Sequence, residues 1–171
     1  RELAIRVAAQ LRRWDVRVDD SAGQPLAQLP PATLLLVLAE TFADQVGPVS
    51  LLAALKHPLV KAGEERLAWL EQVRSLDLAL RGPRLGIGLG AIGEAIASDE
   101  SLSVWWAGVA ETLSDFGDKS SQRFPAVIDL LTSAASQLTD GKVWQGQAGR
   151  QLAQLLEDYR ATDLATLGEL N

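Results

Sequence analysis

The sequence predicts an all-α fold of about eight helices, with at most one short strand near the N-terminus. Apolar side chains recur at intervals of three and four residues along most of the 171-residue chain, which is typical of helices with one buried face. The composition, 47% apolar and 22% charged, is sufficient for a packed core. No period of 20 to 50 residues repeats, so a solenoid is not indicated.

The N-terminal part predicts one helix, one short strand and a loop. Leu3, Val7, Leu11 and Trp14 form one stripe, so we expect a helix that ends near Arg13. Residues 16–18 alternate β-branched and charged side chains, as a short strand does. Residues 19–23 are rich in turn formers and predict a loop.

Proline and glycine set the limits of the next two helices. Pro30 and Pro31 fit the first turn of a helix, where a backbone donor is not needed, and the apolar block that follows extends this helix to about Val46. Because this block is almost continuously apolar, we expect the helix to be buried on most sides. A second helix over 49–56 ends at His57, because the residue before a proline avoids the α region.

The rest of the chain predicts further helices separated by glycine. Glu64 and Glu65 favour a helix start that leads to a stripe ending at Leu80. Four glycines in 85–93 predict a loop or a loosely wound turn, with a helix resuming near Ile92. Asp99 or Ser101 is the expected N-cap of the next helix. The remaining stripes predict helices over 101–116, 124–138 and 144–159, and a short one over 163–170. In the second of these Val127 and Leu131 face inward and Gly141 is the expected stop, and the stripe of the third includes Leu155 and Tyr159.

Composition excludes several kinds of chemistry. The chain has no cysteine and one histidine, which rules out thiolate catalysis, disulfides, zinc fingers and iron–sulfur sites within these residues. The longest apolar run, 34–39, is far short of the ~20 residues that span a bilayer. There is no methionine, and Arg1 already lies in a helical pattern. We therefore expect that these residues are a piece of a longer polypeptide. We expect no membrane segment or signal peptide within them.

Charge is distributed unevenly. Residues 1–84 carry 11 basic and 10 acidic side chains, whereas 85–171 carry 5 and 12, for a net charge of −6. Contact with a phosphate backbone is therefore expected only in the first half. The candidates are four cations at a helix end and around a Gly-Pro turn, with a solvated rim as the alternative. They are Lys56, Lys61, Arg81 and Arg84.

One segment imitates a nucleotide-binding motif. Gly88, Gly90 and Gly93 match the dinucleotide fingerprint, and Glu111 lies where a ribose-binding acid would be. The fingerprint requires a buried strand directly before it, and here a Gly-Pro turn and helical patterns surround it. We therefore interpret the segment as a connector and expect no binding of NAD or ATP.

No catalytic residue or metal ligand emerges from the remaining polar groups. His57 has no serine, cysteine or carboxylate at a recognisable spacing, and its place at a helix end favours a structural role. Asp19 and Asp20 are adjacent, so their side chains point apart, as turn carboxylates do. All five tryptophans fall on or beside core stripes. Because consecutive side chains diverge by about 100° on a helix, Trp106 is the candidate to reach the surface.

Four segments together resemble the AddB-type subunit of bacterial helicase–nuclease complexes, which repair double-strand breaks. They follow in order through most of the chain: DDSAGQPL at 19–26, LLAALKHPL at 51–59, RGPR at 81–84 and VWQGQAG at 143–149. The resemblance implies a UvrD-like helicase architecture followed by a PD-(D/E)XK nuclease domain with an iron–sulfur cluster. Residues 1–28 would then be the end of a RecA-like domain, and 29–171 a helical subdomain inserted into it.

The same resemblance limits what this chain can do. It contains no GxxxxGK[ST] loop, no nuclease carboxylate set and no cysteine, so ATP, magnesium and the iron–sulfur cluster would be bound outside these residues. The expected function is non-catalytic and consists of positioning either DNA or the AddA-type partner subunit. DNA binding is expected to be weak and salt-dependent. The expected location is the bacterial cytoplasm. The alternative is a helical protein-interaction module with no nucleic-acid contact.

Overall fold

A computed structural model describes residues 6–7, 10–11, 13–16, 24–81, 86–117 and 124–161. Within these ranges the fold is all-α without strands, as predicted. Three 3₁₀ turns, Leu26–Gln28, Ser114–Gly117 and Lys142–Trp144, accompany seven α-helices. The helices are α1 (Pro30–Ala43), α2 (Pro48–Lys56), α3 (Arg66–Ala79), α4 (Leu89–Ile96), α5 (Glu100–Thr112), α6 (Phe124–Thr139) and α7 (Gly146–Ala161).

Helix α1 is the centre of the fold. It contacts α2, α6, α7 and all three 3₁₀ turns. Leu34 and Leu38 have no exposed surface, and Phe42 meets Phe116 edge-to-face with ring centroids 5.8 Å apart. Helix α3 joins α2 to the pair α4 and α5, and α5 in turn packs on α6. One continuous core therefore extends from α1 into every described α-helix.

Several predicted boundaries are confirmed by their local chemistry. Helix α1 begins at Pro30, and α2 ends at Lys56 before the His57–Pro58 step. Asp99 is the N-cap of α5, because its carboxylate accepts a hydrogen bond from the Leu102 amide at 3.0 Å. Gly141, with a φ of +73°, follows α6 as predicted.

Other boundaries differ from the prediction for identifiable reasons. Helix α1 ends at Ala43 and not near Val46, because Gln45 and Val46 both have positive φ. Helix α4 begins at Leu89, inside the predicted glycine loop, with Gly88 at φ +98° as its N-cap. Burial of Ile92 and Ile96 outweighs the low helix propensity of glycine there. The helix predicted to reach residue 116 ends at Thr112, and a 3₁₀ turn continues its buried stripe.

Two tryptophans contradict their predicted positions. Trp14 is 75% exposed and is not in the core. Trp106, the candidate for the surface, is only 5% exposed, whereas its neighbour Trp105 is half-buried against Trp69. The apolar stripe of α5 was predicted correctly. Which of Trp105 and Trp106 is more deeply buried depends on the elements that pack beside each indole, and periodicity does not show this.

Several predictions concern residues outside the described ranges. Of the predicted first helix, Arg6, Val7, Gln10 and Leu11 are described and helical, and Arg13 is described in a turn. Val16 is not in a strand, and the rest of the predicted 16–18 strand and the 163–170 helix lie outside. The count of eight helices and the division into 1–28 and 29–171 stay predictions. No described helix is long and apolar enough to cross a membrane.

A close backbone contact connects the last 3₁₀ turn to α7. A Cβ placed on Gly149 would lie 2.4 Å from the Trp144 carbonyl carbon, so only glycine fits there. Val143 is fully buried, and the Trp144 indole donates to Ser136 Oγ at 2.8 Å. The segment 143–149 therefore contacts α6 through Trp144 and α7 through Gly149.

Gly149→Ala is expected to lower the free energy of unfolding by about 2–3 kcal/mol, because the added methyl group would overlap rigid backbone atoms. Gly108→Ala is the matched control. Gly108 is exposed in α5 with open space at its Cβ position, so alanine should raise stability by about 0.5–1 kcal/mol. Urea unfolding followed by circular dichroism measures both, and equal effects would contradict the packing described.

Candidate functional site

Two of the predicted DNA-contact residues converge on one carboxylate. Lys56 Nζ lies 2.8 Å from Asp77 Oδ2, and Arg81 Nε lies 3.1 Å from Oδ1. Hydrogen bonds from Lys56 and then Arg81 lower the pKa of Asp77 to about 2. The side chains of Lys56 and Arg81 are 45% and 69% exposed. This group, the Asp77 cluster, has a net charge of +1.

The third candidate lies in a separate and more acidic place. Lys61 Nζ is 2.7 Å from Asp140 Oδ1, and the same shallow pocket is lined by Lys142, Glu64 and Glu65. Two cations and three carboxylates give this pocket a net charge of −1, which does not favour phosphate. The fourth candidate, Arg84, lies outside the described residues.

His57 connects the end of α2 to the start of α1. Its Nδ1 accepts a hydrogen bond from the Leu59 amide at 3.3 Å, which leaves the ring proton on Nε2, 3.0 Å from Thr33 Oγ1. The Thr33 hydroxyl donates to the Pro30 carbonyl. Burial, followed by the nearby Arg66 charge, lowers the pKa of His57. A neutral ring held on both nitrogens has a structural role, in line with the predicted one.

Helix α3 supplies the groups that cap the C-terminus of α2. Arg66 donates to the Lys56 carbonyl at 2.7 Å and to the Val60 carbonyl at 2.6 Å, and the Trp69 indole donates to the Leu55 carbonyl at 2.9 Å. The bonds to Leu55 and Lys56 satisfy carbonyls that the end of α2 leaves unpaired. They also fix the backbone that presents Lys56. This role of Arg66 has no signal in the sequence, because both of its acceptors are backbone carbonyls.

An apolar groove lies between α1, α6 and α7. Its volume is about 530 Å³, and all of its lining residues are apolar except Thr132 and Tyr159. We call it the apolar groove. It is lined by Leu26, Ala27, Ala32, Leu35, Leu36, Ala39, Phe124, Val127, Ile128, Leu131, Thr132, Leu152, Leu155, Leu156 and Tyr159.

Several large side chains of the apolar groove are open to solvent. Leu36 is 57% exposed, and Phe124, Leu155 and Tyr159 are each more than 40% exposed. Phe124 and Tyr159 meet edge-to-face, with ring centroids 6.4 Å apart. Clustered exposed apolar side chains of this kind mark interaction surfaces, whereas isolated ones need no explanation.

Sequence reasoning identified the helices of the groove but not the groove itself. It placed Val127 and Leu131 on the inward face of α6, and Leu155 and Tyr159 on the stripe of α7. These side chains do share one surface, but only part of it is covered. Periodicity shows that a helix has an apolar face and does not show which element packs against that face.

Two smaller depressions are polar in part. One, between α6 and α7, contains the Arg160–Asp129 ion pair, with 2.7 Å between Nη2 and Oδ1. The other is beside Trp69 and Trp105, and the buried Trp105 Nε1 has no hydrogen-bond partner there. Ser133, Ser136 and Glu157 also line the first depression, and Lys61 and Thr112 line the second.

The glycine motif before α4 lacks the context of a nucleotide-binding site. Gly86 and Ile87, just before the Gly88 N-cap of α4, are not in a strand, which the dinucleotide fingerprint requires. In the described ranges no three His, Asp or Glu side chains are placed so that they could hold a metal ion, and Asp19 and Asp20 lie outside these ranges. Comparison with protein-family models, curated proteins and solved structures gave no match to this chain.

The free energy of unfolding should decrease as the pH falls from about 7.5 to 5.5. The folded pKa of His57 is below 6.5, so the unfolded chain binds the proton first and acid favours unfolding. His57 is the only histidine, so His57→Gln should flatten this dependence, whereas Asp77→Asn should retain it because Asp77 titrates near pH 2. Urea titrations across this range provide the test. An unchanged slope in His57→Gln would contradict the coupling.

Proposed function

We propose that the chain is a non-catalytic helical docking module, whose apolar groove holds a second helical surface in place. The groove carries this proposal, because its volume is about 530 Å³ and its lining is almost entirely apolar. A positioning role requires an exposed contact surface, and the apolar groove is such a surface.

The shape and chemistry of the groove favour a helix as its occupant. Two antiparallel or crossing helices with exposed apolar side chains form the usual receptor for an amphipathic helix, which inserts residues spaced three and four apart. Phe124 and Tyr159 supply rigid aromatic surface, the kind of side chain that dominates binding energy. Leu36 projects from the opposite wall on α1.

The resemblance to AddB-type subunits gives the docking module a context. In such a complex the module would position the AddA-type subunit, while ATP hydrolysis and strand cleavage would occur elsewhere. The acidic second half of the chain, which supplies α6 and α7, suits contact with protein better than contact with a nucleic-acid backbone. The proposal therefore favours the partner over DNA as the object that is positioned.

Leu36→Glu should weaken binding of an AddA-type subunit at least tenfold, because it places a charge in the wall of the apolar groove. Leu67→Glu is the matched control, since Leu67 is 76% exposed on α3 and does not line the groove. Isothermal titration calorimetry measures both. Equal affinities for the two variants, or no binding by the unaltered chain, would overturn the proposed partner contact.

DNA contact is a second candidate function, and the Asp77 cluster is the observation that favours it. Lys56 and Arg81 are exposed and share one carboxylate, which leaves one positive charge uncompensated. A single excess charge supports only weak, non-specific binding, with a Kd on the order of 10⁻⁴ M or poorer at physiological salt.

If the Asp77 cluster meets phosphate, Asp77→Asn should tighten duplex binding at low salt several-fold and steepen its salt dependence, because it releases two cations. Glu111→Gln changes the net charge equally on an exposed site of α5 and serves as the control. Fluorescence anisotropy with a labelled duplex measures both. The same gain in both variants, or affinity that does not depend on salt, would exclude a specific role for this cluster.

A further inference from the structure

We propose that the partner helix held in the apolar groove is basic, and that a lysine or arginine on its flank binds beside Glu157 in the polar depression between α6 and α7. This inference rests on the docking role proposed above and adds the charge of the partner helix. It follows from the position, the charge and the apolar wall of that depression.

The polar depression and the apolar groove have part of their wall in common. Thr132 on α6 and Leu156 on α7 line both of them. The two depressions beside Lys61, by contrast, share no lining residue with the groove. A long side chain on the flank of a helix seated in the groove can therefore extend over the shared wall into the polar depression, with its charged end in water.

The polar depression has one negative charge that its own arginine does not neutralise. Its charged lining residues are Asp129, Glu157 and Arg160, for a net charge of −1. Arg160 Nη2 lies 2.7 Å from Asp129 Oδ1 and donates to Thr132 Oγ1 at 3.0 Å. Glu157 is exposed and takes part in none of the ion pairs between described residues. Its carboxylate is therefore the group that attracts a cation from the partner.

The wall of the polar depression suits the aliphatic part of a basic side chain. Trp144, Ala153 and Leu156 supply apolar surface in the same depression as the carboxylates. The Trp144 indole is held in place, because its Nε1 donates to Ser136 Oγ at 2.8 Å. Lysine and arginine bury their methylene stems on apolar surface while the charged end stays hydrated. An acidic side chain on the partner would instead bring like charges together, which disfavours binding.

Two designed amphipathic peptides test the proposal. They have the same leucine stripe at three-and-four spacing, and the flanking positions are lysine in one and glutamate in the other. Isothermal titration calorimetry with the full chain at low salt should give a lower Kd for the lysine peptide. Glu157→Gln should reduce the ratio of the two Kd values about threefold, because it removes the carboxylate at nearly constant size. Glu71→Gln is the matched control and should leave the ratio unchanged, since Glu71 is also exposed but lies on α3 and lines neither the groove nor the depression.

Two results would overturn the proposal while the docking role stands. Equal ratios in Glu157→Gln and Glu71→Gln would show that Glu157 does not select the charge of the helix. A glutamate peptide that binds as tightly as the lysine peptide would show that the groove does not prefer a basic helix. Leu36→Gln, which removes apolar surface without adding charge, should weaken both peptides in either case. If neither peptide binds the unaltered chain, the docking role itself fails, and the basic partner helix fails with it.

Discussion

Burial of the central part of α1 is the constraint on which the rest of the structure depends. Leu34 and Leu38 are completely enclosed by helices on several sides, so α1 must be apolar around most of its circumference. A helix of this kind cannot bury every apolar side chain unless neighbours surround it. Leu36 is the apolar side chain of α1 that these neighbours leave exposed, and it lines the apolar groove. We propose that a further helix packs there.

The polar groups of the fold are used mainly to complete the backbone and to neutralise one another. Arg66 and Trp69 satisfy carbonyls at the end of α2, and His57 is held on both ring nitrogens. Lys56 and Arg81 share Asp77, and Lys61 is paired with Asp140. These exposed pairs contribute little to stability, but they reduce the positive potential available to a phosphate backbone. The paired charges disfavour contact with phosphate, and the packing leaves the apolar groove exposed. Both therefore favour the groove as the interaction surface.

The fold class and most helix limits could be predicted from the sequence because they depend on local chemistry. Pro30, Asp99 and Gly141 act through their own backbone and side-chain geometry, and the structure confirms all three. The start of α4 was predicted wrongly, since burial of Ile92 outweighs glycine propensity. The ion-pair partners of the predicted cations and the apolar groove depend on contacts between residues far apart in sequence, which periodicity cannot supply.

The most direct test is the solvent exposure of groove methyl groups in the full chain. A soluble gadolinium complex relaxes methyl protons according to their access to water, and Leu36 and Val104 are 57% and 72% exposed. If the groove is a docking site, adding the proposed AddA-type partner subunit will slow the relaxation of Leu36 and leave that of Val104 unchanged. An equal effect on the two, or no effect on Leu36, would contradict the proposed role of the groove.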